Sequence, residues 1–290
     1  MKQDSISSPL QPFNPLTLRR SAPVVLTIAG SDCSAGAGLQ ADLKTFSALG
    51  VYGLTAVTCV VAEVPGKVAR IDPVDPQNVR TQIELLLAKF TVGAIKTGLL
   101  FSAEVVELVA DVLEEKAGGI PLVIDPVMIA TSGDPLLQRA AVELYQTRLF
   151  PLATLATPNM AETAALTGLA VTNLEEMRAA GEQLQTTYGV PFLIKGGHLS
   201  GARAIDLLFD GKTVAELSAP FVAGVSTHGT GCTYSAAIAA GLARGKSLTD
   251  AIARAKEFVR LAIAGHLSLG EVQALNHASS RGRLGRPKRS

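Results

Sequence analysis

Within this 290-residue chain, the segment Thr227-His228-Gly229-Thr230-Gly231-Cys232-Thr233 has the residue types best suited to chemistry. Its two glycines lead into a run of small residues, Ser235 to Leu242, with helical character. Backbone N–H groups in such a turn, with the first turn of the helix behind them, form a concave site for phosphate or a phosphoryl group in transfer. Cys232 falls near that first turn, where the helix dipole lowers a thiol pKa and favours a thiolate base or nucleophile. Read alone, the same stretch is also compatible with a glycine-containing loop beside a small buried cysteine.

A second glycine-rich segment runs from Gly30 to Asp42 and leads into a helix carrying Leu43, Phe46 and Leu49. Ligands of open α/β sheets bind beyond the carboxyl ends of strands, so Asp32 and Asp42 are candidates to hydrogen-bond a substrate. The run Gly36-Ala37-Gly38 is not taken as a dinucleotide fingerprint, and a Rossmann cofactor is set aside. Gly241 to Ser247 resembles a P-loop but has one residue too few between its glycines and follows a helix, so it reads as a helix end. Asp125 closes an apolar run, and Asn159 with Glu162 follows another. Such oxygen ligands, with water and nucleotide phosphates, hold Mg²⁺. Asn159 reads equally as the cap of the helix that begins near Ala161. Lys195, before Gly196-Gly197-His198, is placed to neutralise phosphate or to sit solvated at a strand end.

The elements that must position these groups follow a βα pattern, which points to an α/β fold with a mostly parallel buried sheet. Strands are predicted at Val24 to Ala29, Leu54 to Val61, Ala94 to Lys96, Leu122 to Asp125, Leu155 to Thr157 and Phe192 to Lys195. One helix face collects Val105, Val109, Val112 and Leu113, and another collects Met177, Ala180, Leu184 and Tyr188. Asn173 with Glu176 is the expected start of the second. Asp206 to Phe209 and Val214 to Leu217 flank Asp210-Gly211 as a hairpin. A long helix is expected around Leu248 to Ile263.

Hydrophobic residues make up 48% of the chain, enough for one large domain. A formal net charge of +1 gives no general drive toward nucleic acid or acidic membrane, so any anion site is local. Cys33, Cys59 and Cys232 lack the spacing of a disulfide framework or a zinc site. Residues 1–21 lack the uninterrupted apolar core of a signal peptide, and no run approaches the roughly 18 apolar residues of a membrane span. A cytoplasmic protein is expected, with residues 1–22 a disordered extension, 23–270 the domain and 271–290 a basic, disordered tail.

Taken together, these motifs resemble the hydroxymethylpyrimidine and phosphomethylpyrimidine kinases of thiamin biosynthesis, a branch of the ribokinase-like superfamily. The resemblance spans about residues 23 to 270. It is carried by Gly30 to Gly50, Asp125-Pro126-Val127-Met128 with Ser132-Gly133-Asp134, Thr157-Pro158-Asn159 with Glu162, Lys195 to His198 and Thr227 to Thr233. It implies a three-layer αβα sandwich around a sheet of eight or nine strands, with ATP and Mg²⁺ as cofactors, K⁺ as in parts of the superfamily, and a homodimer. Gly229 to Cys232 would form the anion hole and Cys232 would be the base. Lys195, Thr227 and Thr230 would meet the nucleotide, and Asp125, Asn159 and Glu162 would organise metal. Ala29, Gly30, Asp42 and Met128 would meet the small pyrimidine, and no membrane or nucleic acid is expected as a partner.

Two residues depart from the family pattern. Glu63 stands where the family commonly has Gln, and Leu99 where it commonly has Met. An ionised Glu only accepts hydrogen bonds, and Leu lacks the adaptable thioether. The expected activity is therefore phosphorylation of 4-amino-5-hydroxymethyl-2-methylpyrimidine phosphate to the diphosphate, with little action on the free alcohol. The alternatives are a bifunctional kinase of both pyrimidines, a pyridoxine or pyridoxal kinase, a thiol hydrolase using Cys232 and His228, and a non-catalytic pyrimidine-binding regulator.

Overall fold

Apolar residues alternate along the central strands, and the two sets of side chains enter different helical layers. In the computed structural model, which describes residues 22–128, 137, 139–197, 199, 201–225 and 228–279, a nine-stranded sheet lies between those layers. Its strands are β1 (Val24–Asp32), β2 (Tyr52–Val64), β3 (Lys67–Pro73), β4 (Ala94–Thr97), β5 (Leu122–Ile124), β6 (Leu155–Ala156), β7 (Phe192–Gly196), β8 (Arg203–Phe209) and β9 (Val214–Pro220). They lie in the order β3-β2-β1-β4-β5-β6-β7-β8-β9. The six strands from β2 to β7 in that order pair in parallel, and β3, β8 and β9 are antiparallel.

Leu26, Ile28, Ile95, Ile124, Phe192 and Ile194 belong to one core. It is covered by α2 (Pro76–Lys89), α3 (Ala103–Lys116), α4 (Arg139–Leu144), α5 (Met160–Thr167) and α6 (Leu174–Tyr188). Val25, Ala94, Val123, Leu155 and Leu193 face the other way, toward α1 (Gly38–Leu49), α7 (Thr230–Ala243) and α8 (Leu248–Ala264). The three-layer αβα sandwich is thus built from a period of two in the strands. Alanines dominate the buried face of α7, and a Cβ at Gly241 would stand 2.8 Å from the Cβ of Ala251, so α7 and α8 pack closely. Among the described residues no helix is long and apolar enough to cross a membrane.

The six predicted strands and the hairpin turning at Gly211 are all present, most of them a residue or more longer than expected. Asn173 caps α6 through the Glu176 N–H (3.0 Å), while the Glu176 carboxylate reaches back to the Thr172 N–H (2.7 Å). The P-loop-like segment is a helix end: Lys246 N–H binds the Gly241 carbonyl, Gly245 N–H binds that of Leu242, and Gly245 holds φ 73°. The C-terminal boundary requires correction. Beyond 270, β11 (Val272–Ala274) pairs with β10 (Leu267–Leu269), and Leu275 and His277 are buried, so the folded chain extends through Ser279. The polar, Ser- and Arg-rich character that suggested a tail begins after this docked turn. Residues 1–21 and 280–290, together with Ser132, Gly133, Asp134, His198 and Thr227, lie outside the described residues.

Candidate active site

β1 has β2 on one side and β4 on the other, so the strand order reverses there and a crevice opens beyond the carboxyl ends of these strands. Asp32 ends β1 and organises the loop that follows. Its carboxylate accepts the N–H groups of Ser34 (2.6 Å), Gly36 (3.1 Å) and Ala37 (2.7 Å) and the Ser34 hydroxyl (3.0 Å). His228 Nε2 lies 3.3 Å from the same carboxylate. Burial works against the Asp32 charge, but the hydrogen bonds from His228, Ala37 and Ser34 prevail and hold its carboxyl down at about 2. Gly229, the N-cap of α7, holds φ 79°, and a Cβ there would collide with the Gly36 carbonyl. The two glycine segments therefore form one structure, latched by Asp32 and His228.

Cys232 occupies the first turn of α7, half-buried on the wall of the crevice. Burial pushes its thiol up; Lys96 opposes, Asp42 and Asp125 add to the rise, a hydrogen bond from the Gly38 N–H opposes again, and the result is about 11. The sequence expectation of a lowered thiol is overturned. Two carboxylates within electrostatic reach and loss of water outweigh the helix N-terminus, and none of them is visible from Cys232's neighbours in sequence. Below it, Lys96 Nζ lies 2.8 Å from Asp42 Oδ2, with both side chains fully buried, and the Thr27 hydroxyl donates to Asp42 (2.6 Å). Burial opposes the Lys96 charge, yet Asp42, Cys232 and Asp125 keep it protonated well above the usual lysine range.

Lys195, at the end of β7, pairs with Asp125 just beyond β5 (2.7 Å). Asp125 also accepts the Ser235 hydroxyl from α7 (3.1 Å). A Cβ at Gly231 would stand 3.3 Å from Lys195 Nζ, so the glycine lets the turn close over this ion pair. Asn159 and Glu162 form a complete capping box on α5: Asn159 Oδ1 accepts the Glu162 N–H (2.9 Å) and Glu162 accepts the Asn159 N–H (2.8 Å). The cap reading of Asn159 thus holds in full. Glu162 also receives the Met128 N–H (3.4 Å), and burial raises its pKa. No three His, Cys, Asp or Glu among the described residues cluster as a metal cage. Asp125 and Glu162 are oxygen donors of the kind that could hold a Mg²⁺ which keeps most of its waters.

Most of these groups open on one cavity of about 930 Å³ that crosses the sheet from β2 toward β9. Of the residues singled out in the sequence, Ala29, Gly30, Glu63, Leu99, Asp125, Asn159, Glu162, Lys195, Gly229, Thr230, Gly231 and Cys232 line it. Asp42 and Met128 do not: Asp42 lies behind Lys96, and Met128 is buried beside Glu162. Val127, on the wall, holds φ 43°, a strained value for a β-branched residue of the kind found at binding sites. Glu63 faces the cavity half-buried, and its carboxylate accepts no hydrogen bond among the described residues. Burial, with Asp32 adding, raises its pKa, and His228 opposes.

Sequence reasoning missed Lys96, the Asp32–His228 latch and a trio at the far end, where Lys256 (2.6 Å) and the Tyr234 hydroxyl (3.0 Å) bind Asp206. Lys96 had one legible signal, a lysine inside an otherwise apolar strand. The acid that orients His228 is Asp32, 196 residues away.

The family model described as phosphomethylpyrimidine kinase matches residues 32–277. The hydroxymethylpyrimidine/phosphomethylpyrimidine kinase of Rhizobium meliloti is 44% identical over 251 residues, 86% of this chain and 94% of the relative. An ADP complex of Bacillus subtilis pyridoxal kinase superposes with a TM-score of 0.83 at 37% identity, covering 90% of this chain and 99% of the other. Phosphomethylpyrimidine kinase of Clostridium difficile gives 0.73 at 36% identity, covering 83% and 99%.

Proposed function

As the chain belongs to the phosphomethylpyrimidine kinase family it is a phosphotransferase, and from that premise we propose that it transfers the γ-phosphoryl group of ATP to 4-amino-5-hydroxymethyl-2-methylpyrimidine phosphate, with the free alcohol a poor substrate. The observation that carries this reading is the placement of the Cys232 thiol on the cavity wall within electrostatic reach of Asp42 and Asp125, which with burial push it up to about 11. An alcohol must lose its proton as it attacks, and a thiol of that pKa is almost wholly protonated at neutral pH. A phosphate monoester has a second pKa of about 6, so its attacking oxygen is already anionic and needs no base. It needs orientation, which a protonated thiol supplies as a hydrogen-bond donor.

In this mechanism the substrate phosphate oxygen forms a bond to the γ-phosphorus while the bond to the ADP oxygen breaks. Gly229 to Cys232 present backbone N–H groups to the transferring phosphoryl oxygens, and Lys195 supplies a partly buried cation beside them. Thr230 meets the nucleotide. Asp125 and Glu162, with Asn159 setting the α5 turn, would hold a nucleotide-borne Mg²⁺ through its waters, and the ion would supply charge neutralisation there. Ala29, Gly30 and Leu99 frame the ring, Glu63 accepts from its amino group, and Asp42 acts by fixing Lys96.

Pyridoxal kinase is the second reading, favoured by the higher TM-score of the pyridoxal kinase structure. Glu63 argues against it, because pyridoxal offers an acidic phenol where the pyrimidine offers an amine. ADP release measured with the pyrimidine phosphate, the free alcohol and pyridoxal, each at saturating ATP, decides between them. The pyrimidine phosphate should turn over fastest; equal efficiency on the alcohol overturns the narrowed range, and a preference for pyridoxal overturns the assignment.

A further inference from the structure

The C-terminal turn reaches the same site from behind. After β11 the chain docks on the last turn of α8: Asn276 N–H donates to the Ala262 carbonyl (3.1 Å) and the Ser279 hydroxyl to that of Leu261 (2.9 Å). This places His277, itself 7% exposed, with Nε2 3.0 Å from the hydroxyl of the fully buried Thr233. A backbone hydrogen bond to Leu275 engages the imidazole as a donor, which leaves Nε2 to accept from Thr233. Thr233 follows Cys232 directly, and its own N–H closes the first helical bond of α7 on the Gly229 carbonyl (2.9 Å).

We propose that His277 is a positioning residue, holding Thr233 so that the first turn of α7 presents the Cys232 thiol and the Gly229 to Gly231 amides at a fixed angle. This rests on the kinase reading of the Cys232 site, and His277 itself touches no reacting atom. An apolar side chain could fill the space beside Phe258, whose ring centroid is 6.4 Å away, but would leave the buried Thr233 hydroxyl without its acceptor. Burial, with the Lys44 charge adding, lowers the imidazole to about 4, so the ring is a neutral acceptor across the working range.

The test compares His277→Leu, the near-isosteric Thr233→Val, their double variant and His277→Gln. Steady-state kinetics on the pyrimidine phosphate are paired with the alkylation rate of Cys232 by iodoacetamide, read on its own peptide by mass spectrometry. Each of the two disruptive single variants should lower kcat about tenfold with KM for both substrates within about twofold, as expected for misorientation without lost binding. Alkylation of Cys232 should change at least about threefold, and the double variant should be no worse than either single. His277→Gln, which can donate and accept, should recover at least about half of kcat. Effects that multiply in the double variant, or Thr233→Val protein with kcat and alkylation within about twofold of wild type, overturn the proposal. A wild-type chain that transfers no phosphoryl group to any of the three acceptors defeats the kinase reading instead, and the alkylation rates still decide whether His277 orients Cys232.

Discussion

If Cys232 rests as a thiol at about 11, the two pyrimidine substrates should respond to pH in opposite styles. The ionised fraction of such a thiol is roughly 10⁻⁴ at pH 7 and roughly 10⁻² at pH 9. Phosphorylation of the free alcohol, which depends on a base, should therefore rise about tenfold per pH unit across that range. The pyrimidine phosphate is already ionised above its second pKa of about 6, so its rate should change by less than about threefold over the same interval. The perturbation is doubled by Cys232→Ala, which should remove the slope for the alcohol while leaving the phosphate reaction within about tenfold of wild type. A coupled ADP-release assay at saturating ATP measures both, with the coupling enzymes checked at each pH. An alcohol rate that is flat from pH 7 would refute the reasoning, because it would place a thiolate in the site near neutrality. So would a phosphate rate that climbs in parallel with the alcohol rate.

Breaking the Asp42–Lys96 pair with Asp42→Leu should cost about 3–5 kcal/mol, since it strands a buried ammonium, and Asp42→Leu with Lys96→Met should recover most of that in thermal or urea unfolding. A single variant as stable as wild type would show that the charge is not sequestered. Gly229→Ala forces a side chain into φ 79° and against the Gly36 carbonyl, so turnover should fall at least about tenfold, whereas Gly118→Ala, with nothing within 4 Å of its Cβ, should be neutral. For Asp32 the folded pKa of about 2 lies below the ordinary 3.8, so its ionised form stabilises the fold above about pH 4 and that contribution disappears as pH falls through 2. Asp32→Asn should be about 1–2 kcal/mol less stable than wild type at pH 6, and the gap should close toward pH 2; a constant gap would mean that its hydrogen bonds do not depend on charge.

The central strands were legible because each is short, apolar and β-rich, and because burial on both faces leaves little else such a run can be. β3 was not. Lys67 to Pro73 is mostly exposed and carries three charged residues, so its pairing to β2 leaves no hydrophobic signature. The small hairpin of β10 and β11 hid for the same reason, and with it the docking of His277. Of the site, the parts local in sequence were readable: the glycine turns, Asp125 at its strand end, and the Asn159–Glu162 cap. The unreadable parts are contacts between segments far apart, such as Asp32 with His228 or Lys96 with Asp42, where one chemical group decides the state of another.

That division explains why the thiol was misjudged. From sequence, Cys232 has only its own helix to set its pKa, and a helix N-terminus alone favours the thiolate. In the fold, its cationic neighbours Lys96 and Lys195 are each tied to an acid, Asp42 and Asp125. Each of these pairs is charge-balanced, and neither lysine is wholly available to the sulfur. Lys195 lies at 12% exposure and Lys96 at none, so Lys195 is the cation that can turn from its carboxylate to an arriving phosphate. In a chain whose net charge is only +1, the proposed mechanism would draw phosphate affinity from an exchange of partners at Lys195 rather than from a standing positive field. Lys195→Met should accordingly raise KM for ATP more than it changes the melting temperature, because the Asp125 carboxylate it leaves behind still has the Ser235 hydroxyl as a donor. Isothermal titration with a non-hydrolysable ATP analogue reads the difference, and an unchanged affinity would return the phosphate site to the glycine turn alone.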